Sequence, residues 1–563
     1  MTRVTDPGKT GHPALPGLGA EYRAGLLSRR EFLTRATALG ASAALLGTLG
    51  LPRPANAQPA RAMGGTLRIQ QDVRPLKDPR TFDWPEIANI SRGWLEYLVE
   101  QRPDGSLRGM LLDRWEVNDD ATAYTLFVRE GVRWSDGTDF TADDVARMFA
   151  YWCDTSVEGN VMAAGLASLG DPETGQLRDG AVTIRDPLTV EVTLPKPDVT
   201  LIVALSDYPA AVIPPGFDPA TMTDNPVGTG PYRPEFILEG DLAVLVRRDD
   251  HDWWGDEVDG IGPATLDRIE FIDLGTDPAS WVAAIEDGRV DMLYENVGRF
   301  IDAADALGWE KSDVVTAATV VLRANQNADV GGEKLYADRQ VRRGLSLAID
   351  NAICLELGYG DRGEVAANHH VAPIQPDYAD IGPAVYDPVQ GRAALVQAGR
   401  IDVEHAVVTL DDGVARRTGE AVVALLLDAG IKARQVVLPG SRFWSSWKDF
   451  PLSITEWNHR PLGVQTMALA YRTGAVWNES AYANPEFDAT LDEALAIADA
   501  GTRAQVMARL ETMLREDWVV VQPYWRALFR HYRPGLIGAE MHPSFEIHLY
   551  RLGWAEGSAP TGN

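Results

Sequence analysis

Cysteine is nearly absent from this chain. Only Cys153 and Cys354 occur among 563 residues, which excludes the dense disulfide framework of small secreted domains and sites built from clusters of cysteine ligands. We expect two buried thiols, and a single bridge between them is the alternative. Neither cysteine follows the export signal described below, so we expect no lipid anchor.

Bilayer-spanning runs and positive charge are also scarce. After residue 57 no apolar run is long enough to cross a bilayer, so we expect a soluble mature protein. The chain has 52 basic and 81 acidic residues and a formal net charge of −29. A surface this acidic repels nucleic acid, and we expect no nucleic-acid partner.

Residues 1–57 have the pattern of an export signal. Ser28-Arg29-Arg30-Glu31-Phe32-Leu33 precedes an apolar run over 36–51, and Ala55-Asn56-Ala57 supplies the small residues of a cleavage site. The arginine pair resembles the twin-arginine signal, which would make the twin-arginine translocase a partner during export; an ordinary signal with two chance arginines is the alternative. Either signal predicts a periplasmic location.

Helix and strand patterns alternate along the mature chain. Thr141 stands three residues before Asp144 and predicts the start of a helix. The apolar spacing over 341–353 predicts a single helix, and 124–128 and 518–521 have the pattern of buried or half-buried strands. Such alternation indicates an α/β fold.

A series of motifs runs through the mature chain in a fixed order. These motifs are Leu112-Asp113-Arg114-Trp115, 129–137, 141–145, 226–232, Trp253-Trp254-Gly255, 267–271, 288–291, 345–350 and Tyr386-Asp387-Pro388. The ordered set resembles the peptide/nickel class (family 5, cluster C) of extracytoplasmic solute-binding proteins, which serve ABC importers. The glycines of 226–232 could also suggest a phosphate loop, but the Lys-Ser/Thr that should follow is missing, so we favour a structural turn.

The resemblance implies a periplasmic-binding-protein type II fold, with two lobes, a hinge and an inserted extra domain. Lobe I would be discontinuous over 58–98, 226–322 and 526–563; the inserted domain would be 99–225 and lobe II 323–525. The implied function is the substrate-binding component of an ABC importer. A monomer would capture a peptide-like or other small polar solute in the inter-lobe cleft, close by hinge motion and dock on a permease with cytoplasmic ATPases. No cofactor and no catalysis are implied.

Arg460 departs from the pattern of the resembled family. There, a second-lobe strand ends in Trp, and an Asp three positions later pairs with the ammonium of a bound peptide. Here Trp457-Asn458-His459-Arg460 places an arginine at that position. A guanidinium repels an ammonium but offers a forked pair of donors to a carboxylate or phosphate. We therefore predict an anionic group on the ligand; the alternative is that Arg460 pairs with Glu456 or Glu479.

Further candidate contacts are aromatic or polar residues in both lobes. They are Phe82, Asp83, Trp84, Trp444, Trp457, Asn458, His459, Tyr471, Arg472, Trp477 and Asn478. Aromatic side chains give a large contact area at low entropic cost, although each could instead pack in the core. Asp83 could bind an ammonium or cap a turn; together with Arg460, it would favour a zwitterionic ligand.

Three other interpretations have weaker support. His369 and His370 suggest a metal, but adjacent side chains on an extended segment point to opposite sides, so we expect none. A secreted cofactor-dependent enzyme is disfavoured, since the chain has neither a Gly-x-Ser-x-Gly elbow nor a His-Glu-x-x-His motif. A binding protein that feeds a sensor or chaperone partner is the third possibility.

Overall fold

The computed structural model describes residues 12, 14–24, 26–27, 29–41, 61–258, 260–411, 413–475 and 477–558. The predicted cleavage site at 55–57 and the apolar run beyond residue 41 lie outside them. By its internal contacts the chain divides into two compact units. The first comprises Met1–Asp313, Ala496–Asp499 and Leu528–Asn563, and the second comprises Val314–Leu495 and Ala500–Ala527.

The main sheet of the first unit is mixed. Strand Thr66–Gln70 lies between Met292–Leu293 and Arg268–Ile272 and runs parallel to both. Leu242–Arg247 and then Tyr232–Leu238 continue the sheet antiparallel. Leu67 and Ile69 are fully buried, as expected for a strand with neighbours on both sides.

Smaller sheets complete the first unit. Leu112–Val117, Ala123–Val128, Thr189–Thr193 and Val182–Asp186 form a four-stranded antiparallel sheet in that order, while Val99–Gln101 pairs with Leu107–Gly109. A three-stranded sheet contains Arg61–Ala62, Gly553–Ala555 and Leu536–Ile537. Residues 99–225 thus have sheets of their own within the first unit, and their separation as a third domain stays a prediction.

The sheet of the second unit carries the candidate site. Ala433–Leu438, His405–Leu410 and Leu452–Trp457 are parallel neighbours, and Glu310–Ala324 pairs antiparallel with Leu452–Trp457. Val520–Val521 pairs with Glu310–Ala324, and Gly363–Val365 pairs with Tyr524–Tyr532. Glu310–Ala324 and Tyr524–Tyr532 each have residues in both units.

Helices flank these sheets. The α-helices of the first unit are Leu15–Arg23, Arg29–Ala38, Pro85–Ser91, Ala142–Cys153, Val161–Gly165, Leu201–Ala204, Pro278–Glu286 and Phe300–Ala306. Those of the second are Arg339–Leu347, Asn351–Tyr359, Pro388–Gln397, Gly413–Asp428, Gly440–Trp444, Gly463–Ala470, Pro485–Leu495 and Ala500–Glu516. Short 3₁₀ turns occupy Pro79–Thr81, Trp254–Glu257, Leu335–Ala337 and Leu549–Arg551. No helix within the described ranges combines the length and the apolar character that a membrane crossing needs.

Local signals predict some element boundaries and miss others. Thr141 and Asp144 form the predicted capping box of Ala142–Cys153. The single helix predicted over 341–353 is wrong: Asp350 leaves the helical conformation and its carboxylate accepts a hydrogen bond from the Ala352 amide, which starts a second helix. The predicted strand 518–521 is shortened to Val520–Val521, because Trp518 has a left-handed backbone with φ of 54°.

The two cysteines are free and buried, as predicted. Cys153 ends the helix Ala142–Cys153 in the first unit, and Cys354 lies in the core of the second. They therefore act as small apolar side chains.

Candidate ligand site

The end of strand Leu452–Trp457 positions the candidate site. Neighbouring strands on both sides fix this strand: Thr319 lies opposite Trp457 on one side, and Val408 lies opposite Ser453 on the other. Asn458, His459 and Arg460 follow directly after its last residue. The backbone from which Arg460 projects is therefore held by a central strand.

Two buried side chains fix the loop that follows. Gln375 donates a hydrogen bond from its amide nitrogen to the Arg460 carbonyl at 2.8 Å. Asp377 accepts from the amides of Gly463 and Val464 at 2.8 and 3.1 Å, at the start of helix Gly463–Ala470. Arg460 is thus anchored through its own carbonyl and through the helix three residues later.

Five rings, of which Trp477 contacts Arg460, form what we call the aromatic cluster: His370, Trp457, Tyr471, Trp477 and Trp525. The His370 ring lies edge-on to Trp457 at 5.2 Å between centroids, edge-on to Tyr471 at 5.8 Å, and stacked on Trp525 at 6.4 Å. Trp477 extends the cluster at 6.1 Å from Trp457. Trp457 and Trp525 are buried, whereas 39% of Trp477 is exposed. Of these three indoles, Trp477 is therefore the one that a ligand can contact.

The cluster is uncharged. The Tyr471 hydroxyl and His370 Nδ1 are 2.8 Å apart. Burial, with a smaller contribution from His369, lowers the pKa of His370 to about 3. His370 is therefore neutral at physiological pH and supplies a flat polarisable surface rather than a cation.

Arg460 supplies the positive charge of this surface. Its guanidinium carbon lies 5.6 Å from the centroid of the Trp477 ring, within the range of a cation–π contact. The side chain is half-buried, and within the described residues its Nε has no hydrogen-bond partner and its guanidinium no ion pair.

Both acids that could have neutralised Arg460 are paired with other arginines. Glu456 pairs with Arg526 at 2.9 Å. Glu479 pairs with Arg323 at 3.0 Å and also accepts hydrogen bonds from Thr455 Oγ1 at 2.7 Å and Trp457 Nε1 at 2.8 Å. The alternative set out above, that one of these two acids holds Arg460, does not match these contacts.

The other predicted contacts of the second unit fall into different settings. Asn458 is exposed, and His459 Nδ1 accepts a hydrogen bond from the Ala317 amide at 3.1 Å. Arg472 pairs with Asp492 at 2.8 Å on the surface, and Asn478 closes a turn by bonding to Arg472 and Tyr482. Trp444, which is 50% exposed, packs against Phe443 and Trp447.

The predicted contacts of the first unit have partners of their own. Phe82 is fully buried with Ile87 and Ala88, so its ring is a core side chain. Asp83 pairs with Lys77 at 2.8 Å. Trp84 is 48% exposed and carries the Arg74 guanidinium 4.6 Å from its centroid. Because this pair is largely exposed, with 37% of Lys77 and 56% of Asp83 accessible, the role of Asp83 in binding an ammonium stays a prediction.

Histidines lie in two places where a metal could be sought. The His369 ring packs near Tyr378 while that of His370 joins the aromatic cluster, so the two point to different surroundings. A second group, His542, Glu546 and His548, has ligand atoms within 4.8 Å of one another. However, His542 Nε2 bonds to the Gln101 carbonyl, its Nδ1 accepts from the Ser544 amide, and Glu546 pairs with Arg92. These atoms are committed to a hydrogen-bonded network.

The glycine turn at 226–232 is structural. A Cβ on Gly228 would lie 1.9 Å from the Trp94 carbonyl oxygen, and one on Gly230 would lie 2.6 Å from that of Gly93. The Gly230 amide donates to the Trp94 carbonyl at 3.1 Å. Glycine is thus required by a close backbone approach, and an amide that a phosphate would need is already bonded.

Sequence reasoning missed His370 and Trp525 as members of this surface. Both join the cluster through contacts between residues far apart in sequence: His370 is bonded to Tyr471, and Trp525 lies in a strand that pairs with Gly363–Val365. No local pattern in the sequence marks either residue.

Comparisons with known proteins place this α/β chain in the class of extracellular solute-binding proteins. The model of "Bacterial extracellular solute-binding proteins, family 5 Middle" matches residues 106–479. Heme-binding protein A of Haemophilus influenzae is 24% identical, with 73% of this chain and 78% of that protein covered. The periplasmic oligopeptide-binding protein OppA of the same species is 21% identical, with 82% and 87% covered.

Among solved structures, "Clavulanic acid biosynthesis oligopeptide binding protein 2" superposes with a TM-score of 0.77 at 22% identity, covering 88% of this chain and 97% of that one. The chain belongs to family 5 of the bacterial extracellular solute-binding proteins. The predicted α/β, type II periplasmic-binding-protein fold is confirmed. The protein is the substrate-binding component of an ABC importer and works outside the cytoplasm.

Proposed function

We propose that this protein captures a small polar solute through an anionic group that binds Arg460. The observation that carries the proposal is that Glu456 forms an ion pair with Arg526 and Glu479 forms one with Arg323. These pairs leave the Arg460 guanidinium beside Trp477 without a protein carboxylate within the described part of the chain. The solute is bound and released unchanged.

The chemistry of guanidinium supports an acid as the ligand. Its forked donors match a carboxylate or a phosphate with two parallel hydrogen bonds, and the charge is permanent. Truncating one partner of a desolvated charged pair costs about 2–5 kcal/mol in binding. In a protein with 81 acidic and 52 basic residues, such a cation also gives an anion a local attraction that opposes the repulsion by the net negative charge.

Arg460→Gln is expected to weaken binding of the natural ligand by about 2–5 kcal/mol, because the neutral amide loses the charge-assisted pair. The ligand is identified by mass spectrometry of material released from the native protein, and affinities are measured by calorimetry. Wild-type protein should bind the acid much more tightly than its primary amide. Arg434→Gln, which removes a surface arginine of the second unit that is paired with Glu404 at 2.9 Å, is the control and should bind like wild type. Equal affinity of wild type for acid and amide would refute the proposal.

We also propose that the precursor is exported by the twin-arginine translocase and that the mature protein acts as a monomer. Replacing Arg29 and Arg30 by lysine together is expected to stop export, because that translocase reads the paired arginines. Fractionation followed by immunoblotting should then find the precursor in the cytoplasm. Unchanged periplasmic yield from the lysine pair would indicate an ordinary secretory signal.

A further inference from the structure

Trp477 gives the Arg460 surface a second recognition element. It is 39% exposed, compared with 7% for Trp457 and 2% for Trp525, although all three belong to the aromatic cluster. A large indole left accessible beside a half-buried cation suits a ligand that carries an apolar plane next to its acid group.

The two acids that could attract a cation to this surface already have partners. The acids nearest to it in sequence, Glu456 and Glu479, are paired with Arg526 and Arg323. His370 bonds through Nδ1 to Tyr471, and burial holds it neutral. Among these described groups, Arg460 is the one whose charge has no carboxylate partner. An α-ammonium sits only two bonds from the carboxylate carbon, so a free amino acid bound through its carboxylate would bring its ammonium close to that guanidinium.

We propose that the ligand is a carboxylate that carries a flat apolar group and no neighbouring ammonium, as in an N-acylated aromatic amino acid or an aryl-substituted acid. The carboxylate binds Arg460 and the flat group packs on Trp477. This inference rests on the proposed function, because it requires Arg460 to bind an anion. It adds that the protein prefers ligands that have a ring and no positive charge next to the carboxylate.

Four related probes separate these requirements. N-acetyl-L-phenylalanine has the acid and the ring without the ammonium; L-phenylalanine adds the ammonium, N-acetyl-L-phenylalanine amide removes the acid charge, and N-acetyl-L-alanine removes the ring. We expect the first to bind at least tenfold more tightly than each of the others by calorimetry on the wild-type mature protein. The penalty for the ammonium reflects repulsion by Arg460, and the penalty for the missing ring reflects lost contact with Trp477.

Variants assign each preference to its side chain. Trp477→Ala should abolish the advantage of N-acetylphenylalanine over N-acetylalanine, while Trp477→Phe should retain much of it because a ring remains. Phe236→Ala is the matched control, since Phe236 has the same 39% exposure as Trp477 and lies on strand Tyr232–Leu238 of the first unit; its preference should equal that of wild type.

The outcomes distinguish this inference from the proposed function. If L-phenylalanine binds as tightly as its N-acetyl form and Arg460→Gln weakens both, the anion site stands and the inference is overturned. If N-acetylphenylalanine binds equally well to wild type and Arg460→Gln, the proposed function fails as well. Lack of measurable binding by all four probes at millimolar concentration would also overturn the inference, while the test with the natural ligand still decides the proposed function.

Discussion

Arg323→Met is expected to destabilise the second unit by about 3–5 kcal/mol, because removing one partner of a buried ion pair leaves the other charge without compensation. Arg323 is fully buried, and its Nε lies 3.0 Å from Glu479 Oε2. The guanidinium also donates to the carbonyls of Phe450 and Glu479, each at 2.9 Å, and to that of Trp447. Methionine fills a similar volume but supplies none of these hydrogen bonds.

Urea unfolding measures this loss as a lower midpoint with an unchanged slope. Arg472→Met is the matched control: it breaks the pair with Asp492, in which the arginine side chain is 33% exposed and the aspartate 68%, and should cost no more than about 1 kcal/mol. The double variant Arg323→Met/Glu479→Leu should recover part of the stability, since no unpaired charge remains in the core. If Arg323→Met costs no more than Arg472→Met, the buried pair contributes nothing to stability.

The effect should extend to ligand binding. Glu479 Oε1 accepts the Trp457 indole hydrogen at 2.8 Å, and Trp457 lies between His370 and Trp477 in the aromatic cluster. A displaced Glu479 therefore releases a ring next to the candidate site. The same arginine that keeps Glu479 away from Arg460 thus also holds the surface on which we expect the ligand to pack.

Local signals in the sequence were enough to predict some helices and strands. The surroundings of Arg460 depend instead on contacts between residues that are far apart in the sequence. The capping box at Thr141 needs only residues three apart, and the structure has it. The break at Asp350 was missed because apolar spacing continues across it, while one carboxylate restarts the helix. Arg460 was recognised from its place after Trp457. The pairing of Glu479 with Arg323 and of Glu456 with Arg526 was not predicted, because both arginines lie far away in the chain.

Two buried ionisable residues, Glu511 and His369, should make the stability of the protein depend on pH. Burial, together with the nearby charge of Asp377, raises the pKa of Glu511 from 4.5 to about 9. Its Oε2 lies 3.5 Å from Nδ1 of His369, a nitrogen that also faces the Val371 amide as an acceptor. Burial lowers the pKa of His369 to about 3. A protonated Glu511 therefore faces a neutral His369.

The sign of the pH effect follows from the two shifts. Above pH 4.5 the unfolded Glu511 ionises while the folded carboxyl keeps its proton, so its contribution to stability falls by about 1.4 kcal/mol per pH unit until pH reaches about 9. His369 acts in the opposite direction: its contribution is complete above 6.5 and is lost as pH falls towards about 3. The two slopes offset each other between 4.5 and 6.5, and only that of Glu511 remains above 6.5.

Raising the pH from 6.5 to 8.5 is expected to shift the free energy of unfolding of Glu511→Gln, relative to that of wild type, by roughly 2–3 kcal/mol in favour of the variant. Glutamine has the shape of the protonated acid and never ionises, so it avoids the cost of taking up a proton on folding. Urea unfolding at pH 5.5, 6.5, 7.5 and 8.5 gives both free energies of unfolding. Glu516→Gln, at the exposed end of the same helix, should follow the wild-type profile. A difference between Glu511→Gln and wild type that stays constant from pH 6.5 to 8.5 would show that Glu511 is already ionised in the folded protein.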